Sequence, residues 1–271
     1  MVDTHTHLTD EPLAGALDAV LRRAAEAGVT QCIVPGYDPA SWAAGRALAA
    51  THDGVCFAAG IHPLFANEAA LPALEAELAK GGMVALGELG LDFVDEKADR
   101  ALQLRLFRHQ LRLARDAHVP VILHCRHAHD DLLTELRACP GIAGVLHSCS
   151  CSQEQVKPFI DLGLYVGFSG VVTRDGPRKV KKLAAAVPRD RILAETDSPF
   201  IGTARHPVPQ SEPADVADVV AALAALGGCT EQDMTRLTTG NACRLFGLAV
   251  PGRVICTRSA PGASASLRHP G

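Results

Sequence analysis

The fold is decided by a pattern that residues 104–124, LRLFRHQLRLARDAHVPVILH, show once in full. Leu104, Phe107, Leu111 and Ala114 recur at positions i, i+3, i+7 and i+10, which predicts a helix with one apolar face. Residues 119–123 then form a short apolar run, of the kind that is buried on both faces of a parallel sheet. The stretch therefore predicts a one-sided helix that leads into a buried strand.

Runs of this strand type recur along the chain, with amphipathic stretches such as 13–24 and 216–226 between them. Eight such units within about 250 residues predict an α/β fold of the (β/α)8 TIM barrel class. An open, doubly wound sheet is the alternative. Such sheets usually begin with a glycine-rich turn, whereas the first turn here is His5-Thr6-His7-Leu8. The eight runs are 1–5, 29–34, 55–61, 83–86, 119–123, 142–146, 164–168 and 192–194.

The repeating pattern ends shortly after a final helix. Thr230 is the expected N-cap of that helix, because Glu231 and Asp233 supply an acidic first turn, and we expect the helix to end near Phe246. Residues 252–271 are rich in Arg, Ser, Ala, Pro and Gly, with few large apolar side chains. We therefore expect a single barrel domain over residues 1–251 and a disordered tail over residues 252–271.

The composition excludes several classes of protein. The 271 residues are 48% hydrophobic, which is too apolar for a disordered chain. No uncharged apolar run approaches the roughly 18 residues that cross a bilayer, so we expect no membrane partner. The net charge of -4 argues against a nucleic-acid binder of the basic-patch type. Nine cysteines without a CxxC pair, and a start without a basic or apolar leader, predict a cytoplasmic protein.

Polar residues with metal-ligand chemistry fall where the predicted strands end. In a (β/α)8 barrel the carboxyl ends of all strands open onto one face, and that face carries the active site. Residues far apart in the sequence are therefore expected to converge there. His5 and His7 end the first strand, Glu88 the fourth, His124 the fifth, His147 the sixth and Asp197 the eighth.

This set suits divalent metal ions, because imidazole nitrogen and carboxylate oxygen bind Zn and Mn, and mixed sites with water also hold Mg. His5 and His7 are two residues apart and point to the same side of an extended strand. Glu88 follows a buried apolar run, where a metal would compensate its charge. A hydrogen-bonded structural role is the alternative for any single histidine. Six ligands are more than one tetrahedral site takes, so we expect two ions (Mg, Mn or Zn) that share a bridging carboxylate. We expect His5, His7 and Asp197 to bind one ion, and His124 and His147 to bind the other.

Six sequence blocks together resemble the TatD family of metal-dependent hydrolases, and they run in family order from residue 3 to residue 246. The resemblance implies a (β/α)8 barrel of the amidohydrolase-like type that binds divalent metals and hydrolyses phosphodiester bonds of DNA, typically as a 3'-to-5' exodeoxyribonuclease. The phosphodiester substrate rests on the resemblance alone. The blocks are Asp3-Thr4-His5-Thr6-His7, Gly60-Ile61-His62-Pro63, Gly87-Glu88-Leu89-Gly90-Leu91-Asp92, Leu123-His124-Cys125-Arg126, Glu195-Thr196-Asp197-Ser198-Pro199 and Asn241-Ala242-x-x-Leu245-Phe246.

The resemblance also implies roles for particular residues. The six strand-end residues match the family's metal ligands, and His62 matches an active-site histidine near the scissile phosphate. We expect Asp197 to accept a proton from the attacking water as well as to bind metal, with Glu88 in the same catalytic set. Asp92 and Arg126 are expected to contact the substrate or to support the ligands. A turn histidine is the alternative for His62, and a solvent salt bridge is the alternative for Arg126.

Two blocks depart from the family pattern. After the sixth strand the chain has His147-Ser148-Cys149-Ser150-Cys151-Ser152, where the family usually has His-Cys-Phe-Ser-Gly. The family's Arg-Asn-x-Pro appears here as Gln210-Ser211-Glu212-Pro213. Since both loops follow predicted ligands, we expect an altered substrate preference.

The expected partner is DNA or another phosphodiester, with no obligatory protein partner. Residues 174–182, RDGPRKVKK, follow the seventh strand and could guide a phosphate backbone, although a solvated helix face is the alternative. Stacking platforms for single strands look scarce, because Trp42, Tyr37 and Tyr165 are the only large amphipathic rings. Two other functions stay open: hydrolysis of a small ester, lactone or amide, and metal binding without catalysis.

Overall fold

The computed structural model describes residues 1–249 and the backbone of residues 256–257. Among these residues the strands are β1 Val2–Asp3, β2 Gln31–Gly36, β3 His52–Asp53, β4 Val55–Ala59, β5 Ala85–Asp92, β6 Val121–Arg126, β7 Gly144–Leu146, β8 Tyr165–Phe168, β9 Ile192–Ala194 and β10 Cys256–Thr257. Eight of them form one parallel sheet in the order β1-β2-β4-β5-β6-β7-β8-β9. This sheet, with helices between its strands, confirms the predicted (β/α)8 barrel.

The helices present one apolar face to the sheet, as the periodicity predicts. In the helix Arg100–Ala117, the predicted positions Phe107, Leu111 and Ala114 are buried. Thr230 is the N-cap of the last helix and accepts a hydrogen bond from Asp233 N at 3.1 Å, as predicted. The helices are α1 Leu17–Glu26, α2 Pro39–Thr51, α3 Leu71–Lys80, α4 Arg100–Ala117, α5 His129–Ala138, α6 Gln153–Asp161, α7 Arg178–Ala186, α8 Val216–Gly227 and α9 Glu231–Phe246.

The interior of the barrel is a packed layer to which each of the eight strands contributes one side chain. Helix α9 closes this layer from below with Leu245 and Phe246, and Asn241 on the same helix donates hydrogen bonds to the carbonyls of Arg189 and Ile192. The amino-terminal end of the barrel is therefore filled, which leaves the carboxyl ends of the strands as the open face. The eight side chains are Val2, Ile33, Ala58, Ala85, Ile122, Val145, Tyr165 and Leu193.

The first and last strands close the barrel through the segments that follow them. Thr4 N donates to Ala194 O at 3.2 Å, and His7 N donates to Ser198 O at 2.8 Å. Thr6 and Ser198 form an isolated parallel bridge. Because these bonds continue the pairing beyond the strands themselves, the segments that carry His5, His7 and Asp197 are held side by side.

Two strand boundaries differ from the prediction. Strand β1 ends at Asp3, so His5 and His7 follow the strand rather than complete it. Strand β5 does not end at Glu88 but runs on to Asp92, and its register with β6 shifts between Leu86 and Leu89. The strand continues because Leu89 and Leu91 bury their side chains in the core between sheet and helices. Glu88 thus lies at an irregularity within a strand.

Most of the predicted tail lies outside the described residues. Within it, the backbone of Cys256–Thr257 pairs antiparallel with β3, and the disorder of the tail stays a prediction. The extent of the domain over residues 1–251 stays a prediction. Among the described helices, none is long and apolar enough to cross a membrane by itself. Pro213–Gly227 and Glu231–Phe246 pass that test of length and composition only as a pair, and they are bent by 109° at their junction.

Candidate metal centre

The segment after β1 carries the first two predicted ligands and is anchored by Asp3. The buried carboxylate of Asp3 accepts hydrogen bonds from Thr196 N at 2.9 Å and from Thr196 Oγ1 at 2.7 Å. His5 and His7 therefore lie next to the segment that carries Asp197. Their Nε2 atoms are 3.2 Å apart, so the HxH spacing brings both rings to one place, as expected.

Asp197 completes this first group of side chains. Its Oδ1 lies 3.4 Å from His7 Nε2 and 3.7 Å from His5 Nε2. The backbone of Asp197 has a φ of 56°, a left-handed conformation that Asp adopts more readily than most residues. This conformation turns the chain between β9 and the bridge at Ser198.

Glu88 lies between two groups of imidazoles and turns one carboxylate oxygen toward each. Its Oε2 is 3.3 Å from His5 Nε2 and 4.0 Å from His7 Nε2. Its Oε1 is 2.8 Å from His147 Nε2 and 2.9 Å from His124 Nδ1. One carboxylate thus contacts all four imidazoles that the sequence predicted as ligands.

His124 and His147, the two imidazoles beside Glu88 Oε1, each face a second carboxylate with the other ring nitrogen. His124 Nε2 lies 3.1 Å from Asp92 Oδ2, and His147 Nδ1 lies 3.7 Å from Glu195 Oε1. Such outer carboxylates orient metal-binding histidines and increase their basicity. Asp92 is 2% exposed and is bonded to His124, so it supports that ring, which is one of the two roles expected for it.

Glu195 is a residue that the sequence reasoning missed. Its carboxylate is fully buried, and it accepts hydrogen bonds from Ser148 N and from Thr4 Oγ1. Gly167 on β8 makes room for it, because a Cβ atom there would lie 2.4 Å from Glu195 Oε2. Glu195 therefore connects the segment after β1 to the loop of His147. The only signal in the sequence was its place in the Glu195-Thr196-Asp197 block.

The two central carboxylates are held in their charged form by imidazoles. Neither Glu88 nor Asp197 forms an ion pair with Lys or Arg within residues 1–249, although both are at least nine-tenths buried. Burial alone raises the pKa of Glu88, but His147, His62 and His5 outweigh it and bring the pKa well below its ordinary value. The pKa of Asp197 is lowered in the same way, against burial, by His7, His5 and His147.

His62 reaches the same centre from the segment after β4. Its Nε2 lies 3.3 Å from Glu88 Oε1, while its Nδ1 accepts a hydrogen bond from Leu64 N at 3.1 Å. Burial lowers the pKa of His62, so the ring is neutral and carries its proton on Nε2. A nitrogen that carries a proton cannot bind a metal, and His62 is therefore suited to donate a hydrogen bond.

The centre lies at the bottom of a cavity of about 390 Å³ on the open face of the barrel. Arg126 and Asp92 line one side of this cavity, and Asp10 and Tyr37 line another. The rim is aromatic: the rings of Tyr37 and Phe65 stack with centroids 4.7 Å apart, and Phe200 packs edge-on against His7 at 4.9 Å. Phe65 is 49% exposed and Phe200 is 55% exposed.

This rim corrects the expectation that stacking surfaces are scarce. That expectation counted Trp42 and Tyr165, both of which are buried in the core, and it overlooked the exposed Phe65 and Phe200. Which loop side chains stay exposed depends on how the loops pack, which no local pattern reports. Of the three rings counted, Tyr37 is the one at the cavity.

Arg174, at the start of the basic stretch, and one of the two divergent loops hold neighbouring segments together. Arg174 donates hydrogen bonds to Gly202 O at 3.0 and 2.6 Å, which ties it to the loop after Asp197. Ser211 is buried and donates to Ile201 O at 2.6 Å, while Glu212 pairs with Arg23 on α1. These residues support the loops around the centre rather than line the cavity.

The residues present fit divalent cations, as their burial and donor chemistry show. Two charged carboxylates are enclosed with imidazoles as their only ion-pair partners in the described chain, and three groups of side chains each offer ligand atoms within 4.8 Å of one another. Buried carboxylates of this kind are compensated by metal ions. The groups are His5, His7 and Glu88; His5, His147 and Asp197; and His62, Glu88 and His124, although the proton on His62 Nε2 excludes His62 itself as a ligand.

Comparison with known proteins agrees with this geometry. The family model described as TatD related DNase matches residues 2–247. The uncharacterized metal-dependent hydrolase YcfH of Escherichia coli K12 is 35% identical over 252 residues, which cover 91% of this chain and 95% of YcfH. The 3'-5' ssDNA/RNA exonuclease TatD of Erwinia tasmaniensis is 34% identical over 260 residues, covering 92% of this chain and all of that protein.

A solved structure extends the likeness to the fold. The crystal structure of YjjV, a TatD homologue of Escherichia coli K12, superposes with a TM-score of 0.87 at 31% identity, covering 92% of this chain and 98% of YjjV. The family model and the two relatives span the barrel and its open face. The chain therefore belongs to the TatD family of metal-dependent hydrolases.

Proposed function

We propose that this hydrolase uses two divalent ions to remove nucleotides from the 3' end of single-stranded DNA. The observation that carries the proposal is the position of Glu88 beneath an open cavity: its Oε2 faces His5 and His7, and its Oε1 faces His124 and His147. The exonuclease named among the relatives supports the choice of a nucleic-acid substrate.

The proposed ligands divide into two groups around Glu88. His5, His7 and Asp197 would hold one ion, and His124 and His147 would hold the other. Divalent ions at such a place lower the pKa of a water molecule and neutralise charge that develops on a phosphoryl group. Mg, Mn and Zn all suit this donor set.

Asp197 and His62 are the proposed catalytic side chains that act on the substrate and water. Asp197 lines the cavity, and its lowered pKa keeps the carboxylate ionised and able to accept a proton from water. His62 lines the same cavity with its Nε2 3.3 Å from Glu88 Oε1, and in the proposal it donates a hydrogen bond from Nε2 to a phosphoryl oxygen held there. Arg126 at the cavity wall offers a positive charge for the adjacent phosphate.

The aromatic rim supports a single-stranded substrate. Phe65, stacked on Tyr37, and Phe200 present exposed ring faces at the mouth of the cavity. Bases of a single strand are free to stack on such rings, whereas paired bases in a duplex are not. The rim therefore favours an unpaired 3' end over a duplex end.

A cytoplasmic location is part of the proposal. All eight cysteines within the described residues are free thiols, as expected for a reducing compartment. The negative net charge of the whole chain does not oppose binding of DNA, because bound divalent ions are often the largest local charges in a site.

The proposal is tested with a 5'-labelled single strand and the matching duplex. Incubated with Mg, Mn or Zn, the wild type should shorten the single strand stepwise from its 3' end, and EDTA or His124→Ala should stop the reaction. A panel of lactones, esters and amides tests the other hydrolase chemistry in parallel. Turnover of that panel together with intact DNA under every metal would refute the nuclease proposal.

A further inference from the structure

Two cysteines in the loop after β7 have no part in the proposed reaction. Cys149 and Cys151 are both buried, and their Sγ atoms lie 3.3 Å apart. This Cys-Ser-Cys segment is where the chain departs from the pattern of its family after His147. This separation exceeds the length of a disulfide bond, which is about 2.05 Å, by only about 1.3 Å.

Cys151 can be reached from the surface, although little of it is exposed. It lines a cavity of about 420 Å³ that is separate from the metal centre, together with His129 and Lys179. The pKa of Cys151 is lowered through its hydrogen bond with Cys149 and, against burial, through His129 and Lys179. Asp130 and Asp131 also line this cavity, so the groups that favour a thiolate are the ones that face Cys151 itself, His129 and Lys179. A cysteine next to such groups is the type that reacts with oxidants.

We propose that Cys149 and Cys151 form a reversible disulfide when the protein meets hydrogen peroxide. The Cys151 thiolate attacks one peroxide oxygen, which breaks the O–O bond, releases hydroxide and leaves Cys151 as a sulfenic acid. The Cys149 sulfur then displaces the sulfenic oxygen, which leaves as water with the thiol proton. The two sulfurs lose two electrons in total and the peroxide gains them. A thiol reductant returns both residues to thiols.

The surroundings indicate which residue moves when the bond forms. Cys149 N donates to Gly167 O at 3.0 Å, and the neighbouring Ser148 Oγ lies 2.8 Å from Ser169 Oγ, so this side of the loop is tied to β8 and its following segment. Closing the gap between the sulfurs takes about 1.3 Å. Among the described residues, Cys151, which precedes the N-cap Ser152 of α6, has no such bond to β8, so we expect it to make most of this shift.

The test is mass spectrometry of the full chain, reduced, treated with peroxide and then alkylated. We expect the segment 149–151 to lose two hydrogens and to escape alkylation, and dithiothreitol to restore alkylation at both residues. Fragment ions from cleavage between Cys139 and Cys149, which are 10 residues apart in the sequence, show whether the loss of two hydrogens lies within 149–151 or involves Cys139. Full alkylation of both residues after peroxide, or a bond from Cys151 to the nearby Cys125, would overturn the proposal.

Variants assign the order of events. Cys149→Ser should accumulate a sulfenic acid at Cys151 that dimedone traps, and Cys151→Ser should give neither disulfide nor trapped product. Cys139→Ser is the matched control and should still form the bond. Trapping at Cys149 in Cys151→Ser would contradict the proposed order. The measurement on the wild type stands even where a variant folds poorly, and none of these readouts depends on nuclease activity.

Discussion

Glu88 Oε1 and His147 Nε2 lie 2.8 Å apart in the centre of the open face, and both side chains are buried. Burial lowers the pKa of His147, but Glu88 and Glu195 outweigh it and bring the pKa well above its ordinary value. The positive charge of the His147 imidazolium and the negative charge of the Glu88 carboxylate thus compensate each other. A divalent ion held by Glu88 and His147 would take the place of the proton as the compensating charge.

Replacing Asp92 by Asn tests the support of a proposed ligand. Asp92 Oδ2 is bonded to His124 Nε2, which leaves Nδ1 facing Glu88. The amide is a weaker acceptor, so we expect Asp92→Asn to lower metal affinity by about 10- to 100-fold with little change in melting temperature. Titration of the metal-free protein with Mn measures this. Asp175→Asn, at an exposed position, is the control, and equal affinities for the two variants would count against the assignment.

His62 should affect the reaction rate without affecting metal content. Because Leu64 N occupies His62 Nδ1, the proton on Nε2 makes this ring a donor rather than a ligand. Loss of a hydrogen bond to the transition state typically costs about 100-fold in kcat. We therefore expect His62→Ala to lower kcat to that extent with an unchanged number of ions, and His62→Gln, which keeps a donor, to recover part of the rate. A loss of metal from His62→Ala would make His62 a ligand instead.

Removal of the Phe65 ring should weaken binding of single strands. Stacking of a base on an aromatic side chain contributes about 1 to 3 kcal/mol, so Phe65→Ala should raise KM for single-stranded DNA by at least about 5-fold. The duplex, whose terminal bases are paired, should be affected less. Leu162→Ala removes another exposed apolar side chain, 42% exposed and not part of the cavity, and should change neither KM. A rise of KM that is the same for both substrates would argue against stacking.

Glu77 gives a prediction for the dependence of stability on pH. Its carboxylate on α3 pairs with Arg46 on α2 and lies 2.7 Å from Lys80. Burial raises the pKa of Glu77, but Lys80 and Arg46 outweigh it, so the folded-state pKa is lowered. This stabilisation is therefore present above the unfolded-state pKa, which is about 4.3, and is lost as the pH falls through the folded value.

Urea unfolding of Glu77→Gln measures this contribution. At pH 7 the variant should lose about 1 kcal/mol of unfolding free energy, after allowance for solvent screening. The difference from the wild type should shrink as the pH falls below about 4. Glu96→Gln, in an exposed loop, is the control and should match the wild type at each pH. A deficit in Glu77→Gln that grows on acidification would contradict the ion-pair explanation.

Most of the barrel could be predicted from the sequence, because its strands and helices differ in period. Helix α4 has its apolar positions at helical spacing, and β6 follows as an apolar run. The end of β5 could not be predicted in this way. Glu88 interrupts the apolar pattern, yet the strand continues, because a shift in register allows Leu89 and Leu91 to stay in the core.

The inner part of the site was easier to predict than its surroundings. His5, His7 and Glu88 follow from residue type and strand position alone, and these two features suffice to bring them together at one face. The role of Glu195 depends on space left by Gly167, and the exposure of Phe65 depends on loop packing. Both are consequences of tertiary contacts between segments that are distant in the sequence.

The central claim is that Glu88 is shared between two ions, and an anomalous difference map from crystals loaded with Mn tests it most directly. We expect two peaks, one among His5, His7 and Asp197 and one beside His124 and His147, with a different oxygen of Glu88 directed at each. In Glu88→Gln, whose amide replaces one of these oxygens, at least one of the two peaks should be lost. A single peak in the wild type, or two undiminished peaks in Glu88→Gln, would contradict the shared carboxylate.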